Sequence, residues 1–210
     1  MRPPLHLAHD WYPRGIAGNV VLGQDVYLDS AYGFAAFHSR REPGAVLGDA
    51  CGAYDRATLV VGPDGQVTVG PYTVLNGVYL VCGDRISIGA HCLLAWGAVI
   101  TDSWSPARVP VEARRAALRA SAADPRRVFP APGPPRPVTV EDNVWVGFDS
   151  VVLPGVTLGR GCVIGCRTVV DADVPPYAVV AGSPARVLRA LDPDDTDEVR
   201  RRALVERARA

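Results

Sequence analysis

Apolar residues recur every six positions along the second half of the chain. Aliphatic anchors stand at Val140, Val146, Val152, Leu158, Ile164 and Val170. Glycine follows several of them (Gly147, Gly159, Gly165), and a small or apolar residue stands four past the anchor, at Val144, Ser150, Val156, Cys162 and Thr168. A helix repeats near 3.6 residues and a strand near 2, so neither gives a strict six. A strand of about four residues plus a two-residue corner does, and three such units close one triangular turn of a parallel β-helix. The pattern therefore predicts Val140 under Leu158, Val146 under Ile164 and Val152 under Val170.

Earlier in the chain the same period is looser. Ile16, Leu22, Leu28 and Phe34 give roughly one turn, and Leu47, Ala53 and Leu59 resume it after an interruption at 40–44. Val69, Leu75, Val81, Ile88, Leu94 and Ile100 continue it, with one extra residue placed at the Gly83-Asp84 corner. After Ile100 the repeat stops. The alanine- and arginine-rich stretch Val111–Ala123 predicts a helix, and the proline-rich run 131–137 predicts an extended return. Residues 103–137 thus read as a loop insertion, of a length that is uncommon unless functional. Val179-Val180-Ala181-Gly182 reads as a last strand. The tail 191–210, acidic in front and basic behind, reads as a helix with charges suited to its dipole, capping the open end of the coil. The expected organisation is a β-helix domain over 1–190 followed by that helix.

At 210 residues with 48% hydrophobic and 21% charged side chains, the chain supports one folded domain. Its formal net charge of zero gives no basic patch for nucleic acid. No apolar run reaches membrane-spanning length, and the N-terminus carries no secretory pattern. The five cysteines, Cys51, Cys82, Cys92, Cys162 and Cys166, have no zinc-site spacing. They point to a reducing cytoplasm without disulfides.

Three segments resemble the hexapeptide-repeat acyltransferases, and in particular the sugar and antibiotic O-acetyltransferases. They are Asp142-Asn143-Val144-Trp145-Val146-Gly147, then residues 152–159, then Val180-Ala181-Gly182-Ser183-Pro184-Ala185-Arg186-Val187. The resemblance implies an all-β, left-handed parallel β-helix, a homotrimer with sites between subunits, and acetyl-CoA or another acyl-CoA as co-substrate without a metal. The handedness comes from the resemblance alone, since parallel crossovers are generally right-handed. A zinc-dependent carbonic anhydrase on the same scaffold needs three histidines, and their spacing is absent.

The resemblance also assigns roles. Family members carry a catalytic histidine just after the repeat that ends at Ile100, but this chain reads Thr101-Asp102-Ser103-Trp104-Ser105-Pro106 there. Three routes stay open: Asp102 as a base raised by burial, a distant histidine with His38 first, or loss of the chemistry. His91 reads as an exposed corner residue. The backbone N–H of Phe148 takes the oxyanion-donor position. Asn76, Trp96, Trp104 and Trp145 are the acceptor-side candidates, the tryptophans suiting an apolar or ring-bearing acceptor. Thr168, Ala181, Gly182, Ser183 and Arg186 are the CoA candidates, Arg186 offering a phosphate fork, with Arg160 and Arg167 adding charge or simply forming solvated corners. The expected activity is acyl transfer, most simply acetyl, to a hydroxyl or amine of a sugar or small metabolite. The alternative is a catalytically silent β-helix that binds or assembles.

Overall fold

The structure is a computed structural model that describes residues 3–103, 110–123 and 134–193. Its strands form three walls that the chain visits in rotation. The first wall stacks Val20–Leu22, Ala45–Leu47, Gln66–Val69, Arg85–Ile88, Val138–Val140 and Thr157–Leu158. The second stacks Tyr27–Leu28, Gly52–Tyr54, Val74–Asn76, Leu93–Leu94, Trp145–Val146, Val163–Ile164 and Ala178–Ala181, and Arg186–Ala190 closes it as an antiparallel strand. The third stacks Thr58–Val61, Tyr79–Cys82, Val99–Thr101, Val151–Val152 and Val169–Val170. All pairings but the last are parallel, as one-directional coiling requires.

The six-residue rule holds where it was strict. Val140 pairs with Leu158, Val146 with Ile164 and Val152 with Val170. These anchors point inward and are buried. The corner from the first wall to the second needs one residue with positive φ per coil. Asp25, Ala50, Tyr72, His91, Asn143, Gly161 and Tyr177 fill that place with φ between 50° and 65°. The conformation is unfavourable for a residue with a Cβ. Above the first coil it is held by a ladder in which each such N–H donates to a carbonyl one coil below, as from Tyr72 to Asp49, His91 to Pro71 and Asn143 to Ala90. His91 is exposed, as expected, and stacks on Tyr72 at 5.1 Å.

Two readings of the first coils change. The inward residue of the third wall is Leu80 rather than Val81: Leu80 pairs with Leu59 and Ile100 and is fully buried. The step from Leu75 to Leu80 is five residues, because the corner at Gly77-Val78 is one residue shorter than the one at 55–57, where Ala53 to Leu59 takes six. The extra length lies beyond Leu80, where the strands Tyr79–Cys82 and Arg85–Ile88 each run to four residues. Phe34 sits in a 3-10 turn, Ala31–Phe34, rather than in a strand. Ser30 caps that turn, and Asp10 accepts from the Ser30 hydroxyl at 2.8 Å and the Ala31 N–H at 2.6 Å.

The helix Val111–Ala123 forms where composition placed it and buries none of its residues. The segment Arg186–Ala190 is a strand hydrogen-bonded back onto Ala178–Ala181. The remainder of the expected tail helix, 194–210, lies outside the described residues.

Candidate functional site

The corner from the second wall to the third collects most of the residues singled out in the sequence. Its rungs, one per coil and roughly 4.8 Å apart, are Asp55-Arg56, Gly77, Trp96-Gly97, Phe148-Asp149 and Cys166-Arg167. Backbone bonds fix their order: Gly77 N–H to Tyr54 O at 2.9 Å, Gly97 to Gly77 at 3.1 Å, Asp149 to Trp96 at 3.0 Å and Arg167 to Phe148 at 2.8 Å. The hairpin at 182–185 sits on top, where the Val169 N–H donates to Gly182 and the Val169 carbonyl accepts from Ala185. Gly182, Ser183 and Arg186 are exposed there, and Ala181 is half-buried at the end of its strand. Arg186 folds back to donate to the Ala185 carbonyl at 2.7 Å.

Trp96 and Phe148 are both about half exposed and stack at 5.5 Å. The chain adopts this shelf because both fall at the outward position of a corner, where no inward packing is available to them. Among the described residues no hydrogen bond engages the Phe148 N–H, so this donor is free to meet a developing oxyanion. Asn76 ends its strand immediately before Gly77, at the foot of the shelf. Trp145 lies on the outer face of the second wall, between Leu93 and Val163.

Several expected roles do not survive the geometry. Asp102 is completely buried. Its Oδ1 accepts from the Gly83 N–H at 2.6 Å, and its Oδ2 accepts from Asp84 at 2.8 Å and Arg85 at 2.7 Å, with the Cys82 thiol at 3.4 Å. Its carbonyl takes the Arg136 N–H at 2.7 Å and so receives the chain returning from the insertion. A carboxylate saturated by backbone donors and closed to solvent ties down a corner; it meets no substrate proton. Thr168 is also fully enclosed, its N–H on Ser150 Oγ and its carbonyl on the Val151 N–H. It packs inside the corner and offers nothing to a pantetheine arm. Trp104 lies outside the described residues, as does Ser105.

His38 is half-buried near the other end of the coil. It lines a cleft of about 240 Å³ with Tyr12, Arg14, Phe34 and Phe37. Its N–H donates to Val61. It stands on the corner that later emits the insertion, three coils from Asp102, or roughly 14 Å along the axis. Arg160 pairs with Asp142 at 2.7 Å on the first corner, away from the shelf, whereas Arg167 stands on it.

The sequence reading missed a cleft of about 390 Å³ below the shelf, lined by Tyr32, Asp55, Arg56, Thr58, Gly77, Tyr79, Trp96 and Gly97. The five-residue step from Leu75 to Leu80 was the available signal. A short corner with glycine at its apex leaves a missing rung between Asp55 and Trp96.

Comparison with known proteins fits this arrangement. Residues 137–172 match the family described as "Bacterial transferase hexapeptide (six repeats)". That match spans 36 of the chain's 210 residues. A galactoside O-acetyltransferase of Escherichia coli strain K12 is 46% identical over 59 residues, 28% of this chain and 29% of that protein. A chloramphenicol acetyltransferase of Agrobacterium fabrum is 44% identical over 57 residues, 27% of each. The chain thus matches under a third of the length of these curated relatives. Among solved structures, a hexapeptide-repeat-containing acetyltransferase of Vibrio cholerae O1 biovar eltor, complexed with acetyl coenzyme A, superposes with a TM-score of 0.55 and 27% identity. The match covers 77% of this chain and 76% of that one. The coil is the left-handed parallel β-helix. Among the described residues no helix is long and apolar enough to cross a membrane, and no three metal-binding side chains gather.

Proposed function

We propose that this chain is a CoA-dependent acetyltransferase that acylates a hydroxyl or amine of a small acceptor. The observation that carries the reading is the likeness, over three quarters of both chains, to the acetyltransferase held with acetyl coenzyme A. The corner supplies a matching division of labour. The exposed hairpin at 182–185 and Arg167 flank a track for the pantetheine and phosphates, about two rungs above Phe148. The Phe148 N–H faces the thioester carbonyl. The acceptor enters from below, beside Asn76 and Trp96. Its oxygen or nitrogen attacks the thioester carbon, the C–S bond breaks, and CoA leaves as the thiol with the acceptor's proton. Asp102 is no part of this sequence. An acceptor amine attacking as the free base needs little help with its proton once positioned. For a hydroxyl acceptor, His38 lies on another corner of the coil and would have to reach the shelf from a neighbouring subunit.

Assembly as a homotrimer is part of the proposal. The outer faces of the second and third walls expose Tyr27, Tyr54, Leu93, Trp145 and Tyr79, whereas the first wall presents Val21 and Val46 followed by Thr68, Ser87, Thr139 and Thr157. Apolar faces of this extent favour burial between subunits. Five unpaired thiols suit a cytoplasmic setting.

A thermal-shift titration with CoA and acetyl-CoA, followed by thiol release in the presence of candidate acceptors, tests the reading. Ligand at about a hundredfold over its dissociation constant adds roughly 2.7 kcal/mol, so a clear rise in Tm is expected. No shift up to millimolar ligand sinks the acyl-transfer reading. It would favour the second one, a silent binding or assembly β-helix, to which the structural burial of Asp102 already lends weight.

A further inference from the structure

The cleft below the shelf has a composition that selects its occupant. It exists because Gly77 contributes no side chain at its rung. A Cβ built there would stand 2.9 Å from Trp96 Cδ1, and φ at Gly77 is +57°, so the indole lies down across a gap that only glycine keeps open. Three aromatic residues, Tyr32, Tyr79 and Trp96, contribute to the lining, each between 42% and 49% exposed. Asp55 and Arg56 lie side by side on the rung beneath, both exposed and both held at positive φ, 50° and 60°. That backbone is fixed by the Arg56 N–H donating to Asp29 at 3.0 Å and by the Thr58 hydroxyl donating to the Arg56 carbonyl at 2.7 Å. Among the described residues neither the Asp55 carboxylate nor the Arg56 guanidinium has an ion-pair partner.

Aromatic faces attract cations through their quadrupole, and alkylated ammonium groups, which are poorly hydrated, are the best suited to such walls. A carboxylate at the same cleft adds charge of the right sign. Arg56 lines the cleft too, and against a simple cation it would repel. A ligand carrying both signs satisfies all of these groups at once. We propose that this cleft binds a small zwitterion, its ammonium against the aromatic walls and Asp55 and its carboxylate or phosphate on Arg56. On the acyl-transfer reading given above, and resting on it, the acceptor is such a zwitterion bearing a hydroxyl or a free amine.

Binding is measured first without CoA, by saturation-transfer NMR on the methyl singlet of glycine betaine and by calorimetry. Choline serves as the cation-only comparison, and 3,3-dimethylbutanoate as the isostere lacking the positive charge. Betaine is expected to bind at least about tenfold more tightly than either, and Asp55→Asn and Arg56→Gln each to weaken it about tenfold, the worth of one such contact of about 1.4 kcal/mol. Trp96→Leu should do the same, and circular dichroism checks that each variant keeps its fold. Absence of betaine binding up to about 50 mM overturns the proposal, as does binding unchanged by all three folded variants. The CoA thermal shift is read separately. A CoA shift without betaine binding overturns this inference and leaves acyl transfer standing, whereas betaine binding without a CoA shift supports the cleft and shows that its ligand is not an acyl acceptor.

Discussion

Replacing Asp102 separates a structural carboxylate from a catalytic one. In the structure its two oxygens accept three backbone N–H groups, from Gly83, Asp84 and Arg85, between 2.6 and 2.8 Å, with no exposure to solvent. Hydrogen bonds to a charged acceptor contribute about 1.5–3 kcal/mol each, and a buried donor left without a partner costs about 1–3 kcal/mol. These terms overlap, so Asp102→Ala is expected to cost about 3–6 kcal/mol rather than their sum. For a chain of this size that corresponds to a fall in Tm of roughly 10–20 °C. Asp102→Asn keeps the shape but turns one oxygen into a donor facing N–H groups, and should cost about half as much. The assay is thermal unfolding at one fixed protein concentration, since self-association would otherwise move the transition, paired with acetyl-CoA turnover once an acceptor is known. A general base gives the opposite pattern: its removal costs about 10²–10⁴ in rate with little change in stability. An Asp102→Asn protein that melts with the wild type but has lost that much activity refutes the structural assignment.

Three further outcomes follow from the same geometry. Leu80→Ala should cost about 2–5 kcal/mol as a core truncation, and Val81→Ala under about 1 kcal/mol; urea titrations that rank them the other way reverse the phase assigned to the third wall. Phe148→Pro removes the free N–H, and the fold should accept it, because Pro71, Pro154 and Pro176 each already precede a positive-φ residue at the other two corners of the coil. A loss of about 10²–10³ in turnover is expected, with Phe148→Ala retaining activity and equal rates in both variants excluding the backbone donor. Of the five thiols only Cys166 is exposed, so one should react quickly with a thiol reagent in the native protein and four only on unfolding. Burial pushes the Cys162 thiol up from 9.0 to about 12. The folded state then holds a proton that the unfolded state releases, so stability from this group falls as pH rises from about 9 towards 12. Cys162→Ala should flatten that part of the profile, which an unchanged slope would contradict.

The strict coils were legible because a six-residue period has one good structural answer. Each slip by a single residue would turn a buried anchor out to solvent, and at Val140, Val146 and Val152 nothing competes with that. The looser coils were harder for the same reason in reverse. Between Leu75 and Ile88 the corner shortens by one residue while both strands after it lengthen. Leu80 and Val81 are equally apolar, so composition could not choose between them; the pairing of Leu80 with Leu59 and Ile100 does. The site divides along a similar line. Trp96, Phe148 and Gly182 were marked from separate stretches, and stacking brought them to one corner, since residues a coil apart in sequence become neighbours about 5 Å apart in space. Asp102 was left open in the sequence because a polar residue at the end of a repeat signals chemistry and anchoring alike. What decides is the number of backbone donors its carboxylate meets, and Gly83, Asp84 and Arg85 come from the coil below. The cleft under Trp96 is the converse case. It is made by an absence, the side chain that Gly77 does not have, and a missing rung becomes a binding place only when Asp55 stands below it and an indole above. A local irregularity in a repeat is thus the feature of such chains to examine for specificity, because the regular coils are already committed to holding one another.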